Sequence, residues 1–387
     1  MLSWLGCPPM ASRAVVFFGP DRAYERLLRE RIDPDEVTVR YLDSIRVYNT
    51  RIRGNEGAAH EAGSHLPSKV DNCVVRASDY GSVVSHAISN FASILEGAFE
   101  FDTVYVQNPP SRVFDSLKTA YAAENVECLR YSYPKISKGD LPAIFSGLSA
   151  NVMGQEQGKK ALIATLYKLS ILGGEAPSVI LFYGPSGVGK TETAKVLSET
   201  MGGGLTRIQF SMMQTQEAYE YLFGAEHSKA SFARDLLGRE SNVVLIDEFD
   251  KVNPGLYNMF YQVFDDGTFV DTNYEVDMKN SLFILTSNFA SEAQVKRTLG
   301  PAMFSRISEC VAFGDLELEH KRTIARAEYD HIISKLDDED RSTIETSDIS
   351  AWFFENAGRY DNMRTMKHKV SKAIFERLSA TIIETDK

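Results

Sequence analysis

The chain has 387 residues, 43% of them hydrophobic and 25% charged, with a formal net charge of −11. That length allows two or three domains, each burying its own core. The acidic balance argues against a general nucleic-acid or anionic-membrane binder, and no apolar run approaches the ~20 residues that span a bilayer.

In chain order, residues 1–13 read as a short leader expected to be disordered, with Met10 as an alternative start; the stretch is too short for a secretory signal. From Ala14 strand-like and helix-like stretches alternate. Ala14–Phe18, Val37–Tyr41, Cys73–Arg76, Val104–Val106 and Val126–Tyr131 predict strands. Arg22–Arg31, Asp79–Phe99 and Val113–Ala123 predict helices, and Arg51–Lys69 a loop. Such alternation predicts a small α/β domain over 14–133 with a mostly parallel sheet. Phe17-Phe18-Gly19-Pro20 turns after a strand, but no G-x-G-x-x-G follows, so a dinucleotide fingerprint is missing. His60, His65, Cys73 and His86 lack metal-ligand spacing, and the tyrosines read as half-buried sheet residues. The role of this domain is unknown from sequence. Residues 134–149, with Pro, Lys, Gly and Ser, read as a linker.

A second α/β block is expected over 150–314. Within it, Gly184-Pro185-Ser186-Gly187-Val188-Gly189-Lys190-Thr191 fits G-x-x-x-x-G-K-[ST], with Glu192 opening the helix beyond. The apolar run Val179–Tyr183 precedes it and a helix-forming stretch follows to about Thr200. Glycines there let backbone N–H groups close around phosphate oxygens, and the helix turns its positive end to the same place. Lys190 would reach the β- and γ-phosphates of ATP, and the Thr191 hydroxyl would hold Mg²⁺.

Val243-Val244-Leu245-Ile246 is a second apolar strand ending in Asp247-Glu248. Asp247 would lie beside Thr191 and organise the metal, and Glu248 would polarise the attacking water. A third apolar strand, Leu282–Leu285, ends in Thr286-Ser287-Asn288, where the Asn288 amide could orient that water. From 315 to 387 the pattern turns helical, over His320–Asp338, Asp348–Asn356 and Met363–Ile382, and predicts a lid. The cysteines Cys7, Cys73, Cys128 and Cys310 are scattered, so reduced thiols and a cytoplasmic location are expected.

The stretch from Val152 to Phe313 resembles the second ATPase module of the Clp-type unfoldases, a branch of the AAA+ ATPases. The residues that carry the resemblance are Val152-Met153-Gly154-Gln155, the Leu222-Phe223-Gly224 tripeptide, Val243 to Pro254 with its acidic pair, and Asp265-Asp266-Gly267. It implies a P-loop AAA+ module with a helical lid, preceded by the separate α/β domain. Val152 and Met153 would then sit near adenine. Arg306, in Pro301-Ala-Met-Phe-Ser-Arg306, would be an arginine finger reaching a neighbouring subunit's γ-phosphate. Arg364 would contact the nucleotide from the lid, with Arg359 a competing candidate because the family's Gly-Ala before that arginine is missing. The resemblance further implies a homo-oligomeric ring that spends ATP on remodelling a protein partner of unknown identity.

One departure weakens the threading part of that expectation. Between Gly224 and Leu236 the chain lacks the family's Gly-aromatic-aliphatic-Gly pore loop, and Phe232 is the only aromatic there. A nucleotide-gated regulatory or defence-type switch without threading is therefore the alternative.

Overall fold

The computed structural model describes residues 13–54, 69–174, 176–210, 215–226 and 229–385. The expected leader, through residue 12, and Cys7, His60 and His65 lie outside them. By compactness the chain divides into two units. One is built from the described residues of 1–134, 212–242 and 258–279, the other from those of 135–211, 243–257 and 280–387.

The chain begins with β1 (Arg13–Phe18), α1 (Asp21–Arg31), β2 (Thr38–Arg40), α2 (Tyr41–Gly54) and β3 (Lys69–Val75). There follow α3 (Ser85–Ser89), α4 (Phe91–Ala98), β4 (Glu100–Gln107), α5 (Ser111–Ala120) and β5 (Val126–Arg130). Hydrogen-bonded neighbours run β2-β3-β4-β1-β5, parallel throughout. Helices on both faces explain why Val15, Val16, Val74, Val75, Val104 and Val106 form apolar runs without alternation.

Two stretches differ from the sequence expectation. The strand expected to end at Tyr41 gives way there to α2, whose Tyr41, Ser44, Ile45 and Tyr48 face inward at helical spacing. The single helix expected over Asp79–Phe99 is broken into a 3₁₀ turn (Ala77–Ser82), α3 and α4. Asp79 accepts the Arg76 N–H at 2.9 Å, pulling the chain into the turn. Asn90 donates to the His86 carbonyl at 3.0 Å and so ends α3.

Next come α6 (Leu141–Asn151), α7 (Glu156–Leu172), β6 (Ser178–Tyr183), α8 (Lys190–Thr200), β7 (Thr206–Gln209), α9 (Thr215–Phe223) and α10 (Phe232–Leu237). Residues read as a linker thus contain most of α6, whose Leu141, Ile144 and Leu148 are buried. Pro142 misled that reading: in a helix's first turn proline removes no needed hydrogen bond. β8 (Val243–Asp247), α11 (Tyr257–Asp266), β9 (Thr268–Val270), β10 (Glu275–Asp277), β11 (Leu282–Thr286), α12 (Glu292–Phe304) and β12 (Glu309–Ala312) complete the block.

The second unit's sheet runs β12-β6-β11-β8-β7, again parallel. Its register sets Thr286 beside Phe182 and Leu285 beside Ile246, so β6, β8 and β11 end at the same level. Everything that follows strand ends here meets along one edge, where doubly wound sheets bind ligands. The helical C-terminal part comprises α13 (Leu318–Ile333), α14 (Asp338–Glu345), α15 (Ile349–Asn356) and α16 (Met363–Thr385). Tyr329, Ile344, Phe353, Val370 and Ile374 form its core. The helix expected to run to Asp338 stops at Ile333, and Asp337 caps α14 by accepting the Asp340 N–H at 2.9 Å.

Candidate nucleotide site

The loop between β6 and α8 owes its shape to glycine. Gly184 has φ 133°, and a Cβ there would stand 2.0 Å from the Phe313 carbonyl oxygen, so no other residue fits. α8 begins at Lys190, a residue only 8% exposed. Its ammonium donates to the carbonyls of Gly184 and Pro185 at 2.6 and 2.7 Å and to Asn288 Oδ1 at 3.4 Å. Burial pushes the Lys190 ammonium down to about 8, against the opposing pull of Asp247 and Asp250.

The two acids leave β8 in different states. Asp247 is 6% exposed and fully engaged: Thr286 Oγ1 donates to its Oδ1, and Arg207 Nε and Nη2 donate to its Oδ2 at 3.0 and 2.5 Å. Glu248 takes a left-handed backbone, φ 57° and ψ 44°, which swings its side chain out of the strand's alternation. Its N–H donates to Thr286 Oγ1 at 3.0 Å. One hydroxyl at the end of β11 therefore fixes both acids.

These groups converge on a cavity of about 480 Å³. Ser186, Gly187, Val188, Gly189, Lys190, Thr191 and Glu192 line it, with Asp247, Glu248 and Asn288 beside them. Val152 and Met153 form another wall together with Leu316 and Ile324. The turn carrying them is clasped by Gln155, which exchanges two hydrogen bonds with the Gly314 backbone at 2.8 and 2.9 Å. Arg364 and Lys367, from α16, line the same cavity. Gly184 and Pro185 sit behind the loop, where their carbonyls hold Lys190.

Arg306 and Arg359 are not among the residues that line this cavity. Arg306 Nη1 donates to the Ala302 carbonyl at 2.6 Å. Arg207, Thr286, Gln155, Asn362 and Lys367 went unassigned from sequence. Thr286 could have been found, since it stands at a strand tip in register with the acidic pair. Arg207 carries no comparable signal.

Thr191, Asp247 and Glu248 line the cavity with a hydroxyl and two carboxylates, the class of hard oxygen donor that Mg²⁺ takes, although Arg207 and Thr286 already hold the oxygens of Asp247. Among the described residues no group of three or more His, Cys, Asp and Glu stands close enough to hold a metal on its own. None of their helices is long and apolar enough to cross a membrane.

A glycine loop joining a parallel strand to a helix, beside an acidic strand end, defines a P-loop nucleotide-binding module. Comparison with known proteins narrows the class. Residues 175–345 match the AAA domain family (Cdc48 subfamily). The chain is 27% identical over 266 residues to the chaperone protein ClpB of Malacoplasma penetrans, covering 60% of this chain and 38% of that protein. It is 35% identical over 172 residues to the ClpA homolog protein of Fuscovulum blasticum, covering 42% and 22%. It thus spans about a third of the length of the ClpB proteins it matches. A chain of Hsp104, solved in its closed state with ATPγS and FITC-casein, shares the fold with a TM-score of 0.53 at 15% identity, over 96% of this chain and 89% of that one. This chain carries an AAA+ ATPase module of the Clp/Hsp100 type.

Proposed function

We propose that the module binds Mg·ATP in the cavity between the Gly184–Thr191 loop, the acidic pair and α16, and hydrolyses it at an interface between subunits. The observation that carries this reading is the convergence of Lys190, Thr191, Asp247, Glu248, Asn288 and Arg364 on one cavity. Lys190 neutralises the β- and γ-phosphates, Glu248 accepts the proton of the attacking water, and Asn288 orients that water. Mg²⁺, held by Thr191 and Asp247, supplies further charge neutralisation. Arg364, rather than Arg359, contacts the phosphates from the lid. Val152 and Met153 flank adenine. Arg306, which does not line its own chain's cavity, serves the site of a neighbour. In domain terms 150–314 is the ATPase core and 315–387 its lid, and 14–133 selects what the module acts on.

The energy goes to remodelling a protein partner, as the chaperone names of the relatives suggest. A nucleotide-gated switch is the second reading, and one observation favours it: Phe232, the sole aromatic of the segment where a pore loop would stand, is 0% exposed within α10. The deciding measurement is the mass of the Glu248→Gln protein in solution with ADP and with ATP. A shift to a ring-sized species with ATP supports interface hydrolysis and remodelling. A monomer or dimer in both states removes the neighbour that Arg306 needs and leaves the switch.

A further inference from the structure

Arg207 reaches the acidic pair from outside the motifs that define the site. It lies on β7, the edge strand of its sheet, whose register sets Arg207 beside Leu245 and Gln209 beside Asp247. The intervening Ile208 is 3% exposed, so the strand's pleat sends Arg207 to the opposite face. From there the guanidinium extends along the strand and places both Nε and Nη2 on the single oxygen Oδ2 of Asp247. The other oxygen, Oδ1, takes the Thr286 hydroxyl. Arg207's side chain is 42% exposed and that of Asp247 8%, so the pair joins a solvent-reaching cation to a buried anion.

Two charge-assisted donors on one carboxylate oxygen fill its lone pairs and cancel much of its charge. An oxygen held this way is a poor ligand for a divalent cation, which must displace both N–H groups to approach it. Asp247 is the only carboxylate of the pair so occupied: Glu248 Oε2 accepts from Gln209 Nε2 at a long 3.5 Å.

We propose that Arg207 is a positioning residue that withholds Asp247 Oδ2 from the metal and so limits how much Mg²⁺ adds to the affinity for ADP. Product is then released with its metal rather than trapped by it. The inference rests on reading the cavity as a Mg·ATP site.

The test is the affinity for a fluorescent ADP, measured with Mg²⁺ and with EDTA, on the full chain and on Arg207→Ala and Arg207→Lys. The readout is the ratio of the two dissociation constants, which a general loss of stability would not raise. Arg207→Ala should increase the gain from Mg²⁺ about tenfold, the lower end of the scale on which groups behind a metal's ligands change metal affinity. Arg207→Lys, which keeps the charge but not the fork, should fall between. An unchanged or reduced ratio in folded Arg207→Ala overturns the proposal; should that variant fail to fold, an unchanged ratio in Arg207→Lys does so. Lys190→Ala separates the two levels. If it leaves ADP affinity intact, the cavity reading itself fails, whatever Arg207 does.

Discussion

Gly187 of the phosphate loop lies directly against Asn362 of the lid: a Cβ on Gly187 would stand 2.5 Å from Asn362 Oδ1. That same oxygen accepts the Arg364 N–H at 2.9 Å and so starts α16. Gly187 also has φ 81°, where side chains other than glycine's are strained. Gly187→Ala should therefore act twice. Strain and displacement of Asn362 should cost about 1–3 kcal/mol of stability. Nucleotide affinity should fall further than that of a control destabilised equally at α14, because Arg364 moves with Asn362. A parallel titration of both variants checks it; equal losses would mean that the lid contact does nothing for binding.

Lys190 gives the site a pH dependence whose sign can be worked out. Its ammonium is held down at about 8, from an ordinary 10.5, by burial. Between those values the unfolded chain binds more protons than the native one, so this group makes stability rise with pH across that window. Nucleotide binding runs the other way, because the phosphates need the charged form. Affinity for ATP should be flat below about 8 and weaken above it, by up to about tenfold per pH unit. Calorimetry in buffers of different ionisation heat should show proton uptake on binding above that point and none below. Uptake centred near 10 would place Lys190 in solvent rather than among its carbonyls.

Much of the site was legible because its chemistry is local in sequence. The glycines, Lys190 and Thr191 lie within eight consecutive residues, and Asp247 and Glu248 are adjacent at the end of a run whose burial forces it to be apolar. Arg207 was not legible, and Gln155 was legible only as part of its motif, without its role. Each acts across a tertiary contact, on Asp247 and on Gly314, and an isolated Arg or Gln looks the same whether it serves a carboxylate or solvent. The fold's misses have similar causes. α6 hides behind a proline that its first turn tolerates, and α2 behind Asn, Thr and Arg residues whose helical spacing shows only against a known core. The expected Asp79–Phe99 helix failed because Asp79 and Asn90 bond to nearby backbone, a competition that apolar periodicity does not register.

Phe232 shows how placement changes the meaning of an experiment. As the sole aromatic between Gly224 and Leu236 it invites substitution as a test of substrate gripping. Its ring instead lies edge-on to Phe269 at 4.7 Å and to Phe260 at 6.0 Å, wholly buried. Phe232→Ala should open a cavity and cost about 3–5 kcal/mol, with loss of activity following loss of fold. Denaturant unfolding checks this. A variant of unchanged stability that lost only partner-stimulated turnover would return Phe232 to a gripping role.

Arg306 makes the sharpest claim about assembly. It does not line the cavity formed by its own chain, and its guanidinium bonds to the Ala302 carbonyl at the end of α12. An arginine supplied in trans stabilises transition-state charge and is worth roughly 10³–10⁵ in rate. Arg306→Ala alone should therefore be nearly inactive while keeping ATP affinity, since the loss falls on the transition state rather than on ground-state binding. Glu248→Gln alone should be inactive for a different reason, having lost the base. Mixed in equal amounts and allowed to exchange, the two should regain activity, because roughly a quarter of interfaces would join an intact Glu248 to an intact Arg306. A cis arrangement cannot produce that gain, since every site would then lack one of the two groups. Activity of the mixture that never exceeds its components, under conditions where labelled subunits demonstrably exchange, would take Arg306 out of the reaction.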